Sequence, residues 1–213
     1  MKTGQSDPYK DARQQMVDFL IQQGRLTDEK VIKAMKSVPR HRFVPEQQQS
    51  HAYEDRPLPI GDGQTISAPH MVGMMAEMLD VEMGSKVLEI GTGCGYHAAV
   101  MAEIVGDKSI YSIEYSEMLA EKARTQLSKL GYDINLRAGN GRKGWPENAP
   151  FDAIYLTCAP QVLPNPLKKQ VKQGGIIVAP IGVGSQTLYK YEKQKDGSLQ
   201  RTSHGSVRFV TMQ

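Results

Sequence analysis

Residues 87–96 read VLEIGTGCGY, an apolar segment that passes through one acidic residue into glycines at positions 91, 93 and 95. Val87, Leu88 and Ile90 suit a strand buried on both faces. The glycines let the chain turn sharply and bring bare backbone amides against a ligand. Residues 96–105, YHAAVMAEIV, have helical character, so the loop marks a strand-to-helix junction, the crevice that open α/β sheets use for ligands. Its G-x-G-x-G spacing departs from the G-x-G-x-x-G of dinucleotide folds, and the bulky Tyr96 stands where a pyrophosphate would need room. No G-x-x-x-x-G-K-S/T stretch occurs, which removes the usual nucleoside triphosphate reading. What remains is a nucleoside ligand without phosphates.

The flanking pattern alternates. Lys86–Ile90, Ser109–Ile113, Ile134–Ala138, Asp152–Thr157 and Ile176–Pro180 read as strands, and Met71–Leu79, 96–105, Glu117–Leu130 and Val162–Gln173 as helices. Ser116 is placed to cap the helix that Gly131 closes. Leu188–Glu192 and Ser206–Val210 read as further strands joined by the turn Lys195-Asp196-Gly197. The expected fold is α/β, a mostly parallel sheet with helices on both faces. Upstream, residues 9–24 and Asp28–Val38, the latter capped by Thr27 and stopped by Pro39, form a helical preface over residues 1–45. Five prolines punctuate Pro39 to Pro69 and predict a long loop, functional by its length, with residues 46–70 as the active-site loop. Residues 71–213 are the core of a single domain spanning 1–213.

A chain of 213 residues, 39% hydrophobic and 23% charged, is ordinary for one globular core. Its net charge is +3 with 26 scattered basic residues, which predicts no nucleic-acid partner. No apolar run approaches the roughly 20 residues of a membrane span, and residues 1–25 lack a signal-peptide core. Cys94 and Cys158 have neither metal-ligand nor disulfide spacing, so no metal is expected and a reducing cytoplasm is the expected compartment. A monomer is expected.

Further residues agree with the glycine loop. Glu114 ends the second strand of the series, 21 residues after Gly93, where such folds place a carboxylate that accepts both ribose hydroxyls. GNGRKGW at 139–145 follows the third, where an adenine edge would lie. Asn140 there offers a side-chain carbonyl to an exocyclic amine, or serves only its own turn. Glu89 could orient the loop amides or a ligand ammonium, or could simply form a salt bridge.

The acidic residue two before the first glycine, followed by G-x-G-x-G, resembles the first motif of class I, Rossmann-like S-adenosyl-L-methionine-dependent methyltransferases. PLPIGDGQTISAPHM at 57–71 resembles more narrowly the loop of protein-L-isoaspartate (D-aspartate) O-methyltransferases. VPRHRFVP (38–45), IYSIEYS (110–116), GNGRKGW, APFDAIYLTCAP (149–160) and KQGGIIVAPIG (172–182) extend the likeness in the same order over nearly the whole chain. The chain is identified as a member of that family.

The resemblance implies methyl transfer from S-adenosyl-L-methionine, leaving S-adenosyl-L-homocysteine, to the α-carboxylate of L-isoaspartyl residues in damaged proteins and peptides. The ester then closes to a succinimide, which begins repair. Ser67 maps onto the family's catalytic serine; by itself it reads as a helix cap or turn residue. Gly61, Asp62, Gly63 and Ile66 map onto the substrate loop. Gln64, Thr65, His70, Glu89, Gly91, Thr92, Gly93, Gly95, Glu114, Tyr115, Gly139, Asn140 and Gly141 map onto the cofactor site, although His70 reads equally as a buried, hydrogen-bonded imidazole. Relatives commonly carry aspartate at the position of Asn140, serine at Cys94 and alanine at Cys158. They also often continue past SVRFVTM, so contacts from a longer tail are expected to be missing or supplied elsewhere. Methylation of an aspartyl side chain in a peptide precursor would call for an extra domain. A non-catalytic binding module would tolerate loss of Ser67 or Glu114, and both are present. The glycine spacing disfavours an NAD-linked oxidoreductase.

Overall fold

The computed structural model describes residues 7–213. The first six residues of the preface, and of the segment 1–25 read as lacking a signal core, lie outside the described residues. Helices α1 (Lys10–Gln22) and α2 (Glu29–Ser37) come first, followed by a hairpin of β1 (Leu58–Gly61) and β2 (Gln64–Ile66). The alternating part runs α3 (Pro69–Leu79), β3 (Val87–Ile90), α4 (Tyr96–Val105), β4 (Ile110–Glu114), α5 (Glu117–Lys129) and β5 (Asn135–Ala138). It continues through β6 (Phe151–Leu156), α6 (Asn165–Gln170), β7 (Val171–Ile181), β8 (Gln186–Lys193) and β9 (Leu199–Val207).

Seven strands form one sheet in the order β5-β4-β3-β6-β7-β8-β9. The first five in that order are parallel, and β8 and β9 add antiparallel at the edge. The chain moves outward from β3 through β4 to β5, then crosses to the other side of β3 for β6 and β7. The direction of winding therefore reverses between β3 and β6, and their carboxyl ends part around a crevice.

Alternation along each strand divides the core in two. Val87, Ala153, Tyr155 and Val178 pack with side chains of α1 to α5, among them Leu20, Met35, Met75, Val100 and Leu127. Leu88, Ile90, Ile154 and Ile177 face the other way, onto Leu163, Leu167 of α6 and Met212. Helices thus cover both faces, unequally.

Expectations for three segments change. The stretch Pro39–Pro69 is not a bare loop. It holds short 3-10 turns at Arg40–Phe43 and Glu46–His51 as well as the hairpin. Asp62 and Gly63 both have left-handed backbone, φ 53° and 67°, as a two-residue primed hairpin turn requires. Asp-Gly between two short apolar runs was the signal for it, overshadowed by the prolines. The helix expected over Val162–Gln173 is only six residues long. Pro164 and Pro166 confine its start, and β7 takes the chain from Val171, bulging between the pairs Phe151–Val171 and Ala153–Ile176. The last strand lies at Leu199–Val207, earlier than Ser206–Val210. Beyond it the tail turns back, where Ala159 N donates to Val210 O (2.8 Å) and Met212 N to Ala159 O (3.0 Å).

The preface is anchored by polar contacts as well as packing. Arg40 is fully buried, with Nε donating to Ala52 O at 2.7 Å and its guanidinium 4.9 Å from the centre of the Tyr96 ring at the head of α4. Glu77 of α3 accepts from the backbone amides of Thr27 and Asp28 at 2.5 and 2.6 Å.

The cap of α2 is Asp28 rather than Thr27, because the helix starts one residue later than its apolar pattern suggested. Asp28 Oδ1 accepts from Lys30 N at 2.7 Å and Val31 N at 3.2 Å, whereas the Thr27 hydroxyl reaches only Glu77, at 3.4 Å. Asp28→Ala is expected to lower unfolding free energy by about 1 kcal/mol, and Thr27→Ala by less than half as much. Equal losses for the two variants in urea titrations would contradict this assignment.

Candidate active site

A cavity of about 330 Å3 opens at the carboxyl ends of β3, β4 and β6. The hairpin and the residues after it supply one wall through Asp62, Gln64, Thr65, Ile66 and Ser67. Gly91, Thr92 and Gly93 supply the floor, and Glu114 and Tyr115 the side beyond β4. Thr157 and Cys158 close it at β6, and Val210 to Gln213 lie along its mouth.

Steric fit decides what the glycines do. A Cβ on Gly91, whose φ is +98°, would fall 2.3 Å from Thr157 Oγ1. Thr157 Oγ1 itself donates to Gly91 O at 2.5 Å, so the loops after β3 and β6 meet with no space for a side chain. Gly95 serves a different contact. Its Cβ would meet Leu127 of α5 at 3.0 Å, and it does not line the cavity.

Glu114 accepts from Gly93 N at 2.7 Å on Oε2 and from Ser116 N at 3.1 Å on Oε1. Each carboxylate oxygen has a further lone pair. The same group can therefore hold the loop and accept hydroxyls from a ligand. Tyr115 beside it is 61% exposed at the rim.

Glu89 does not reach the cavity. Its place in β3 turns it to the α4 side of the sheet, fully buried. There it accepts from Tyr155 OH at 2.8 Å and from the Ser112 hydroxyl, and Ser112 in turn bonds Thr92 Oγ1 at 2.6 Å. Its hold on the loop runs through these hydroxyls, not through the loop amides. Burial pushes the carboxyl up to about 7, against the two O–H donors that favour its ionised form.

Other expected contacts also lie behind the wall. His70 donates its backbone N–H to Asp55 Oδ1 at 2.9 Å, and its ring Nδ1 meets the same oxygen at 2.8 Å. Asp55 pairs in addition with Arg25 at 2.8 Å, so His70 pins the head of α3 to the preface. Gly139 N is spent on Glu114 O (2.8 Å), and Asn140 Oδ1 accepts from Arg142 N (2.9 Å), closing its own turn. Of the 139–141 segment only Gly141 borders the cavity. Gly61 and Gly63 shape the hairpin turn without lining the site.

Ser67 lines the cavity, and none of the described residues bonds its hydroxyl. It is not a helix cap, since Ala68 occupies that position in α3 with no side-chain bond. Among residues the sequence did not single out, Val72, His97 and Thr157 contribute, and so does the tail from Val210. Thr157 could have been found from its place at the end of the strand beside the glycine loop. The tail carried no such signal. Burial of the sulfurs pushes the thiols of Cys94 and Cys158 up to about 11 and 12, so neither is a thiolate nucleophile at neutral pH.

Among the described residues no lysine or arginine lines the cavity, and the charged side chains that do are Asp62 and Glu114. That lining suits a nucleoside ligand without phosphates, set against a loop too tight for side chains at Gly91. Residues 11–213 match the family model for protein-L-isoaspartate (D-aspartate) O-methyltransferase. This chain belongs to that family. It is 50% identical over 206 residues to protein-L-isoaspartate O-methyltransferase 2 of Archaeoglobus fulgidus, covering 96% of this chain and 94% of that one. A solved protein-L-isoaspartate O-methyltransferase superposes with a TM-score of 0.86 at 30% identity, over 93% of this chain and 65% of that longer one. A Plasmodium falciparum member in complex with S-adenosyl-L-homocysteine gives 0.79 at 26% identity, over 94% of this chain and 98% of that one. The fold is the class I, Rossmann-like methyltransferase fold, and the cofactor is S-adenosyl-L-methionine.

The buried Glu89 makes stability depend on pH. A carboxyl whose pKa is raised on folding gives its full stabilisation below its unfolded value near 4.5 and loses it as pH rises through about 7. Glu89→Gln removes the titration. The stability of the parent relative to this variant is expected to rise as pH falls from 8 to 5 in denaturant titrations. A difference that stays flat would contradict the raised carboxyl.

Proposed function

We propose that the cavity methylates the α-carboxylate of L-isoaspartyl residues in damaged proteins and peptides, with Ser67 as the catalytic residue. As a family member the chain is an S-adenosyl-L-methionine-dependent protein carboxyl O-methyltransferase, acting on isoaspartyl-containing polypeptides. One observation carries the assignment of roles: a serine hydroxyl with no partner among the described residues shares with the glycine loop a cavity that no lysine or arginine of those residues lines.

The chemistry asks for little acid or base. An α-carboxylate with a pKa of about 3.5 is already ionised at neutral pH. When bound, the cofactor supplies an electrophilic methyl group. The chain must align the two reactants, and such alignment is worth roughly 7–11 kcal/mol. Ser67 donates one hydrogen bond to the carboxylate and leaves the other oxygen free to attack. Lysine or arginine there would favour the ground-state anion, whose charge the transition state partly loses.

Glu114 would hold the cofactor's ribose hydroxyls, Tyr115 and Gly141 its base, and Gly91, Thr92 and Gly93 its amino-acid end. Gln64 and Thr65 would hold the cofactor from the hairpin side, and Asp62 and Ile66 would border the acceptor. Glu89, Gly95, His70, Gly139 and Asn140 support these contacts from behind, and Gly61 and Gly63 set the hairpin. Residues 1–213 act as one methyltransferase domain, a monomer without nucleic-acid or membrane partners in a reducing cytoplasm. The two free cysteines support that compartment, and among the described residues no helix is long and apolar enough to cross a membrane.

The purified chain is expected to methylate an isoaspartyl peptide and leave its aspartyl twin unlabelled; equal labelling, or none, would sink the assignment. Ser67→Ala is expected to lower kcat roughly 10- to 150-fold, the worth of a hydrogen bond to a charged group at roughly 1.5–3 kcal/mol. Affinity for S-adenosyl-L-homocysteine should stay within about twofold. Unchanged turnover would remove Ser67 from its role.

A further inference from the structure

Glu114 marks the β4 side of the cavity, and Ser67 marks the side where α3 packs on β6 and β7. His97 lies on that second side. It is the second residue of α4, 6% exposed, and it borders the cavity with its ring tilted at 39° against that of Tyr155 of β6, 4.5 Å between centroids. Neither Nδ1 nor Nε2 has a hydrogen-bond partner among the described residues, and neither is open to solvent. Buried polar groups are nearly always paired. A histidine with two unspent nitrogens at the wall of a ligand cavity therefore calls for a partner from the ligand.

The composition of the wall says what that partner is. Both reactants bring a carboxylate, the cofactor at its amino-acid end and the acceptor at its reacting carbon. Among the described residues no lysine or arginine lines the cavity, so what these side chains offer the anions is neutral donors. The N-terminus of α4, which no side chain caps, brings the positive end of its dipole to the same place. Burial holds the His97 pKa down at about 3, which keeps the ring neutral, with one N–H to give. A half-turn about the Cβ–Cγ bond exchanges the two edges of an imidazole. Such a turn puts a nitrogen where each edge carbon was and leaves the ring plane against Tyr155 unchanged.

We propose that His97 is a further binding residue of the site, donating a ring N–H to a carboxylate held between the head of α4 and Ser67. The reading of the reaction enters only in saying which two carboxylates are available. His97→Phe keeps an aromatic ring against Tyr155 but removes the donor, and His97→Asn keeps a donor.

Calorimetry with S-adenosyl-L-homocysteine and with its analogue lacking the amino-acid carboxylate tests the cofactor arm. The KM for an isoaspartyl peptide at saturating S-adenosyl-L-methionine tests the acceptor arm. His97→Phe is expected to raise one of these constants about tenfold or more, as loss of a hydrogen bond to a charged group would. His97→Asn should stay within about threefold of the parent, and the thermal midpoint of His97→Phe should not fall. Weaker S-adenosyl-L-homocysteine binding with the analogue unaffected assigns the contact to the cofactor. A raised peptide KM at unchanged kcat assigns it to the acceptor. Both constants within twofold of the parent, or equal weakening of S-adenosyl-L-homocysteine and its analogue, would overturn the proposal. Should His97→Phe fail to fold, His97→Leu is read by the same measures. A parent protein that binds S-adenosyl-L-homocysteine but methylates no peptide would count against the proposed function and leave the cofactor arm readable.

Discussion

A carboxyl group lies in the middle of the sheet, and much of the site is set by how it is satisfied. Glu89 pairs in register with Ser112 on one neighbouring strand and Tyr155 on the other, and both donate hydroxyls to it. Ser112 passes the connection to Thr92, so one polar row spans three strands and ends on the glycine loop. A group this buried tolerates no loss of partners. A slip of β4 or β6 by one residue would send Ser112 or Tyr155 to the opposite face. Register and loop position are fixed together.

From that row the crevice takes its shape. The loop after β3 is held from below by Thr92, from the side by Glu114 through the Gly93 amide, and from across the crevice by Thr157. Those contacts come from the strands on either side of β3: Ser112 and Glu114 belong to β4, and Thr157 follows β6. The resulting floor is rigid and preorganised, as a site that acts mainly by alignment requires.

Much of this was legible in the sequence where the physics is local. The glycine loop, Glu114 and the alternating elements follow from backbone freedom, strand ends and periodicity, and each sits near its expected place. Gly95 shows the limit. Its spacing fits a ligand loop, yet what forbids a side chain there is Leu127, 32 positions away in the chain. His70 and Asn140 have the right chemistry for ligand contacts, but Asp55 and the Arg142 amide claim them first. Competition of this kind is settled by tertiary geometry. The same holds for the tail, whose approach to the cavity depends on pairing with Ala159.

The two halves of the cavity have different origins. Its floor and β4 side are built from loops of the parallel sheet itself. Its roof and mouth come from the hairpin of β1 and β2 and from the tail after β9, segments that lie outside the parallel strands. Changes in the hairpin or tail leave the polar row beneath the glycine loop intact, whereas changes in the row disturb everything above it. Under the proposed roles Gln64 and Thr65 of the hairpin reach the methyl donor as well, so a change in the hairpin is felt by both reactants while the floor stays in place.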